Sequence, residues 1–112
     1  MADGDKPTIS THVLDTERGL PAEGIRVRLF RVDVGAAPIR MTQALTDGDG
    51  RIRDLLERPL VAGDYRLEFD VGRDDGSFFR QVAIDVRIAD TSRSYHVPLL
   101  LAPYSMTTYR GS

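Results

Sequence analysis

Apolar and polar residues alternate in short runs through most of this chain, the period-two pattern of half-buried strands, and no stretch carries helical spacing. From Thr8 to Asp15, Ile9, Thr11 and Val13 alternate with Ser10, His12 and Leu14. Ile25, Val27 and Leu29 alternate with Arg26 and Arg28, and Tyr65, Leu67 and Phe69 with Arg66, Glu68 and Asp70. Gln81 to Ile88 repeats the pattern through Val82, Ile84, Val86 and Ile88. A weaker strand is expected over Arg40 to Thr46 and a short one over Ile52 to Leu56. Arg93 to Leu101 and Met106 to Arg110 close the chain around a turn at Ala102-Pro103-Tyr104. Glycine, proline and aspartate clusters separate the runs, and Asp47-Gly48-Asp49-Gly50 is a strong turn signal. The polar Arg73 to Ser77 stretch leaves room for one short helical turn. The expected fold is all-β: a two-sheet sandwich of seven to eight strands with at most one short helix.

Parity sorts the candidate chemistry. If Ile9, Thr11 and Val13 face the core, His12 points outward with Ser10 and Leu14. If Tyr95, Val97, Leu99 and Leu101 face the core, His96 points outward with Pro98 and Leu100. Both histidines of the chain therefore leave the core. Pro98 cannot donate to a ladder, which suits an edge or a bulge. Leu100, Pro98 and the Tyr109 phenol would make an apolar outer surface, which a symmetric oligomer would cover. A pocket at such an interface would be partly dry, a setting that keeps an imidazole neutral and able to take a proton.

Composition removes several alternatives. The 112 residues make one domain that can bury about two-thirds of its unfolded surface without staples. Cysteine is absent, so there is no disulfide, thiolate metal site or cysteine nucleophile. A net charge of -2 offers no attraction to nucleic acid or to an anionic membrane. No apolar run is long enough to cross a bilayer. Met1 to Pro7 is acidic and lacks the apolar centre of a secretory signal. A cytoplasmic protein is expected, with residues 1–7 a flexible segment ahead of a single domain over 8–112. The Asp47–Gly50 turn lacks the later ligands and closing glutamate of a calcium loop. No Gly-x-Ser-x-Gly elbow and no phosphate loop is present. No metal or cofactor is expected.

Three blocks carry a family resemblance. They are Ser10-Thr11-His12-Val13-Leu14-Asp15-Thr16 with Gly19-Leu20-Pro21-Ala22, then Asp49-Gly50-Arg51-Ile52, and finally Tyr95 to Tyr104 closing on Thr108-Tyr109-Arg110-Gly111-Ser112. On these residues the chain resembles the 5-hydroxyisourate hydrolases, the transthyretin-related enzymes of urate degradation. The terminal Tyr-Arg-Gly-Ser and the two histidines separate those hydrolases from the hormone-carrying transthyretins. The resemblance implies a transthyretin-like sandwich of two four-stranded sheets and a homotetramer, a dimer of dimers around a channel that holds the active sites. It implies hydrolysis of the small-molecule substrate 5-hydroxyisourate to 2-oxo-4-hydroxy-4-carboxy-5-ureidoimidazoline, on the route to allantoin, without a metal.

Carried over by position, His12, Arg51 and His96 match the catalytic polar residues, and Tyr109, Arg110 and Ser112 match the substrate-side tail. The histidines would move protons and the guanidinium would hold developing negative charge. Which histidine is the base stays open, and Arg110 can be read equally as a substrate ligand or a structural clamp. Arg53 shares the Arg51 face by parity and competes with it. The chain departs from the family at Arg80, Ser94, Ala102 and Met106, where proline, histidine, serine and an aromatic are usual. Parity puts Met106 on the core face and Ser94 beside His96. The alternative from another class is a non-catalytic transthyretin-like module that holds an aromatic ligand in the channel; a third reading is a secreted or periplasmic structural sandwich.

Overall fold

Nine strands form among the described residues, and the long ones that supply the core, such as those around Val13, Val27, Leu67 and Leu99, turn alternate apolar side chains inward. The computed structural model describes residues 6–111. The strands are β1 (Ile9–Asp15), β2 (Leu20–Pro21), β3 (Arg26–Val32), β4 (Ile39–Leu45), β5 (Arg51–Ile52), β6 (Gly63–Asp70), β7 (Gln81–Ile88), β8 (Tyr95–Ala102) and β9 (Ser105–Thr108). One sheet runs β2-β1-β8-β9, with β5 pairing β1 as well, and the other runs β4-β3-β6-β7. The β1–β8 pairing is parallel; the remaining ladders are antiparallel.

The core lies between the two sheets. Ile9, Val13, Val97 and Leu99 from one sheet meet Val27, Leu29, Tyr65, Leu67 and Phe69 from the other, all of them buried. Each such aliphatic or aromatic side chain contributes about 1.5–3 kcal/mol on leaving water. Met106 packs against this cluster, on the face expected for it. Thr11 shares the inward face and is 1% exposed. Its hydroxyl donates to the Val97 carbonyl at 2.6 Å, which satisfies a polar group that burial would otherwise penalise.

Several expectations need correction. No helix forms among the described residues. At Arg73–Ser77, side chains claim the backbone donors instead: the Ser77 hydroxyl accepts from the N–H groups of Arg73 and Asp74, and the Asp74 carboxylate accepts from Gly76. Such local capture favours a turn over a helix. Arg80, one of the departures from the resembled pattern, closes the same loop by donating to the Asp74 carbonyl at 2.7 Å. The strand count among the described residues rises to nine through β2, a two-residue piece beside β1, while β5 is a two-residue remnant at the start of the strand expected over Ile52 to Leu56. Beyond Ile52 the chain leaves the sheet, and Leu55 and Leu56 plug the core instead of extending a strand. Residues 1–5 of the expected flexible segment lie outside the described residues.

Pro98 sits in an interior strand, not at an edge. The ladder toward β9 accommodates it by breaking. Leu99 pairs Thr108, and beyond the break His96 pairs Gly111 in the same register. The Pro98–Tyr109 position between them would need two exchanged hydrogen bonds, and proline has no N–H to give. The Thr108 hydroxyl takes the Pro98 carbonyl at 2.8 Å in place of a backbone donor. Tyr109 and Arg110 are thereby released from the sheet, and Gly111 returns to it, donating to the His96 carbonyl at 2.8 Å.

Candidate active site

Three strands lying side by side carry the candidate groups to one outward face. His12 on β1 is directly opposite Arg51 on β5. Ser10 on β1 is directly opposite His96 on β8. Directly opposed residues share a face, with Cβ atoms about 4.5–5.5 Å apart. The inward-facing Thr11, between Ser10 and His12, confirms the parity through its pairing with buried Ile52 and Val97.

Each imidazole is held by one hydrogen bond. His12 Nε2 lies 2.9 Å from the Asp49 carbonyl oxygen. A carbonyl only accepts, so Nε2 carries the proton and a neutral His12 presents Nδ1 as an open lone pair. His96 Nδ1 lies 2.8 Å from the Ser10 hydroxyl. A hydroxyl both donates and accepts, so His96 can hold its proton on either nitrogen. His96 rests on Gly111: a Cβ added there would come within 2.6 Å of His96 Cδ2.

The electrostatics favour neutral imidazole at His96. Partial burial pushes its pKa below the ordinary value, and the nearby Arg51 and His12 push the same way, against a smaller opposing effect of the Ser10 bond. Arg51 takes part in none of the ion pairs among the described residues. The outer face of the other sheet is different. There Arg28 pairs Asp70, Arg66 pairs Asp85 and Arg87 pairs Asp64, at 2.7–2.9 Å. One outer face is neutralised by paired charges; the other presents imidazoles and a guanidinium that makes no ion pair among the described residues, although the Asp47 carboxylate binds the Arg51 backbone N–H. That second arrangement suits a ligand rich in carbonyl oxygens or bearing negative charge.

A shallow hollow of about 290 Å³ opens over part of this face, lined by Ser10, Arg51, Arg53, Ser94 and His96 with the buried Thr11 and Ile52 beneath; His12 does not line it. Arg53 and Ser94 thus border the site, as parity suggested. The Ser94 hydroxyl also accepts from the Thr8 N–H at 2.9 Å, tying the start of β1 to the start of β8. A larger hollow of about 370 Å³ lies beyond the other end of β1, around Phe78, Phe79 and Tyr104, and holds none of the candidate groups. Among the described residues no cluster of three His, Cys, Asp or Glu side chains is placed to hold a metal ion.

The tail divides. Tyr109 is 56% exposed and lies, by register, in the row of Pro98 and His12. The Arg110 guanidinium lies 5.5 Å over the Tyr95 ring, which Arg93 also approaches. Tyr95 belongs to the inward set of β8, so this single chain does not bring Arg110 to the histidines. Ser112 lies outside the described residues. Sequence reasoning did not mark Ser10 as the His96 partner, Gly111 as its seat, or the Asp49 carbonyl as the His12 partner. The position of Ser10 two residues before His12 was a usable signal for the first; a backbone carbonyl leaves none.

A sensitive test of the His96 environment is pH. Its pKa is depressed in the folded chain, so between that value and about 6.5 the unfolded chain binds more protons. Stability contributed by neutral His96 is full above this window and is lost as pH falls through it. Denaturant melts between pH 7.5 and 5 should show a midpoint that falls with acid, and His96→Gln should flatten that slope. An unchanged slope in the variant would remove His96 as its source.

These features define a two-sheet β-sandwich with a polar, imidazole-rich site on the outside of one sheet. The chain belongs to the HIUase/Transthyretin family, whose model matches residues 9–111. It is 44% identical to a 5-hydroxyisourate hydrolase of Deinococcus radiodurans, over 95% of this chain and 97% of the relative. Its fold matches the structure of Klebsiella pneumoniae 5-hydroxyisourate hydrolase with a TM-score of 0.78 at 38% identity, covering 94% of this chain and 99% of that one. It also matches sea bream transthyretin in complex with thyroxine, TM-score 0.83 at 26% identity, over 92% and 93% of the two chains.

Proposed function

We propose that this chain is a 5-hydroxyisourate hydrolase of urate degradation. The observation that carries the reading is the meeting of His12, Arg51 and His96 on one outward face, two of them in direct cross-strand register. The full-length likeness to named hydrolases supports the same substrate.

In this reading His12 is the base. With Nε2–H committed to the Asp49 carbonyl, Nδ1 is free to take a proton from water. The water oxygen bonds to a ring carbonyl carbon of the substrate, and the carbonyl oxygen becomes an oxyanion. Arg51 stabilises that charge. The carbon–nitrogen bond of the ring then breaks, and the departing nitrogen takes a proton from His96 Nε2. The Ser10 hydroxyl hands its proton to Nδ1 as the Nε2 proton leaves, so His96 changes tautomer and stays neutral, and the proton that His12 took from water returns to Ser10 through solvent, which leaves each group as it began. One water is consumed and one ring is opened.

Tyr109 and Ser112 complete the pocket on the substrate side, while Arg110, held over the Tyr95 ring, acts as the structural clamp of the tail. Return of Gly111 to the sheet beside His96 supports this, since it carries the tail to the rim of the site. The domain of residues 8–112 works as a homotetramer, a dimer of dimers, in which neighbouring copies cover the open face and its half-exposed Tyr109.

The experiment is direct. Urate oxidase generates 5-hydroxyisourate from urate, and its ultraviolet decay is followed with and without this protein. Decay should accelerate in proportion to protein added. A rate equal to the spontaneous one would overturn the reading.

A further inference from the structure

The Asp47–Gly50 turn reads from sequence as a plain hairpin connection, yet it touches both sides of the site. Asp49, inside the turn, supplies the carbonyl that holds His12 Nε2 at 2.9 Å. Arg51 follows the turn directly and sits opposite His12. A single carboxylate organises this stretch. Asp47 Oδ1 accepts from the Asp49 N–H and from the Arg51 N–H, each at 2.9 Å. The Asp47 backbone closes the loop further, accepting from Gly50 at 2.9 Å and donating to the Arg51 carbonyl at 3.0 Å.

The turn is also fixed against β1. Gly50 adopts φ 76°, the left-handed region that favours glycine, and a Cβ there would collide with the Val13 carbonyl oxygen. The Gly50 carbonyl accepts from Val13 at 2.7 Å. The strand that carries His12 and the turn that carries its partner carbonyl are therefore tied one residue away from the imidazole itself.

We infer that Asp47 is a positioning residue for the hydrolytic site: through the Asp49 carbonyl it sets the Nε2–H tautomer and aim of His12, and through the Arg51 N–H it sets the guanidinium opposite. The assignment of rate effects rests on the hydrolase reading above; the tautomer does not. The carboxylate suits the task because one oxygen serves two backbone donors at once. It stays ionised at neutral pH, since the Arg51 N–H, with help from the Asp49 N–H and against some desolvation, holds its pKa below the ordinary value. Without it the turn loosens, the Asp49–Gly50 peptide can rotate, and the Gly50 N–H, not the Asp49 oxygen, can face His12. A donor in that place would select the opposite tautomer and put the lone pair on the wrong nitrogen.

Long-range proton–nitrogen spectra of the 15N-histidine-labelled protein read the tautomer directly. Wild-type His12 should show a single Nε2–H form. Asp47→Ala should give a mixed or inverted His12 signature and lower kcat by about tenfold or more, with KM changed less. Asp47→Asn keeps an amide oxygen for both N–H groups and should restore most of both readouts. An Nδ1–H form in the wild type would overturn the inference, even if Asp47→Ala does not fold. So would Asp47→Ala with an unaltered His12 signature and wild-type kcat. Failure of the wild type to hydrolyse 5-hydroxyisourate would instead overturn the hydrolase reading and leave the tautomer comparison standing.

Discussion

His12→Ala lowers kcat/KM for 5-hydroxyisourate by about 10²–10⁴-fold while the folded chain persists, because it removes the group that takes the proton from water. The structural cost is small by comparison. His12 lies on the outer face of the sheet, and its one hydrogen bond, to the Asp49 carbonyl, is exposed. Losing such a bond costs about 0.5–1.5 kcal/mol. The core neighbours Thr11 and Val13 keep their places, since they point the other way. His96→Ala should lose activity on a similar scale by leaving the departing nitrogen without its acid. Progress curves of 5-hydroxyisourate decay, beside urea melts of each variant, separate rate from stability. A His12→Ala protein with near-wild-type turnover would reduce His12 to a tether for the Asp49 turn.

Gly111→Ala is expected to cost about 10²-fold in kcat, nearly as much as removing a catalytic group, through a single added methyl. The added carbon would stand 2.6 Å from His96 Cδ2 and 3.1 Å from its Cβ and Cγ. Because the clash includes the root of the side chain, rotation of the ring tip cannot relieve it. The imidazole must move as a whole, and the 2.8 Å contact to Ser10 goes with it. The Gly111 backbone is not in the left-handed region, so alanine meets no backbone penalty there. Thermal stability should therefore change far less than rate. Removing Arg110 to Ser112 abolishes the seat altogether and should cripple activity at least as strongly. Wild-type kcat in Gly111→Ala, measured by the same decay assay, would make the contact incidental.

Much of this molecule is legible in the alternation. The inward sets Ile9, Thr11, Val13 and Tyr95, Val97, Leu99 are buried and Leu101 is partly so, although Pro98 of the outward set is buried as well, and the outward placement of His12 and His96 follows from the same period. The period is local: each backbone unit turns its side chain opposite to the last, whatever the rest of the chain does. What the period cannot say is which strands become neighbours. Pro98 is compatible with an edge or a bulge, and only the neighbours of its strand decide between an edge and an irregular ladder. The strand carrying it lies between β1 and β9, and the missing N–H is absorbed by an interrupted ladder and a threonine hydroxyl. The short helical turn expected near Arg73 does not form because Ser77 and Asp74 capture the backbone donors.

The sequence by itself determined the strands, their inward faces, and the residue types able to move a proton or hold a negative charge. Those properties belong to single residues and to a period of two, so they survive without knowledge of the partners. Only the tertiary structure decided that β5, β1 and β8 lie side by side, that Arg51 stands opposite His12, and that Arg110 rests over Tyr95. It also decided the two finest controls on the site, the Asp49 carbonyl under one imidazole and Gly111 under the other. The first acts through a backbone oxygen, which every residue carries alike, and the second through the absence of a side chain. Contacts of that kind, 37 residues apart in the case of His12 and Asp49, become visible only when the chain is folded.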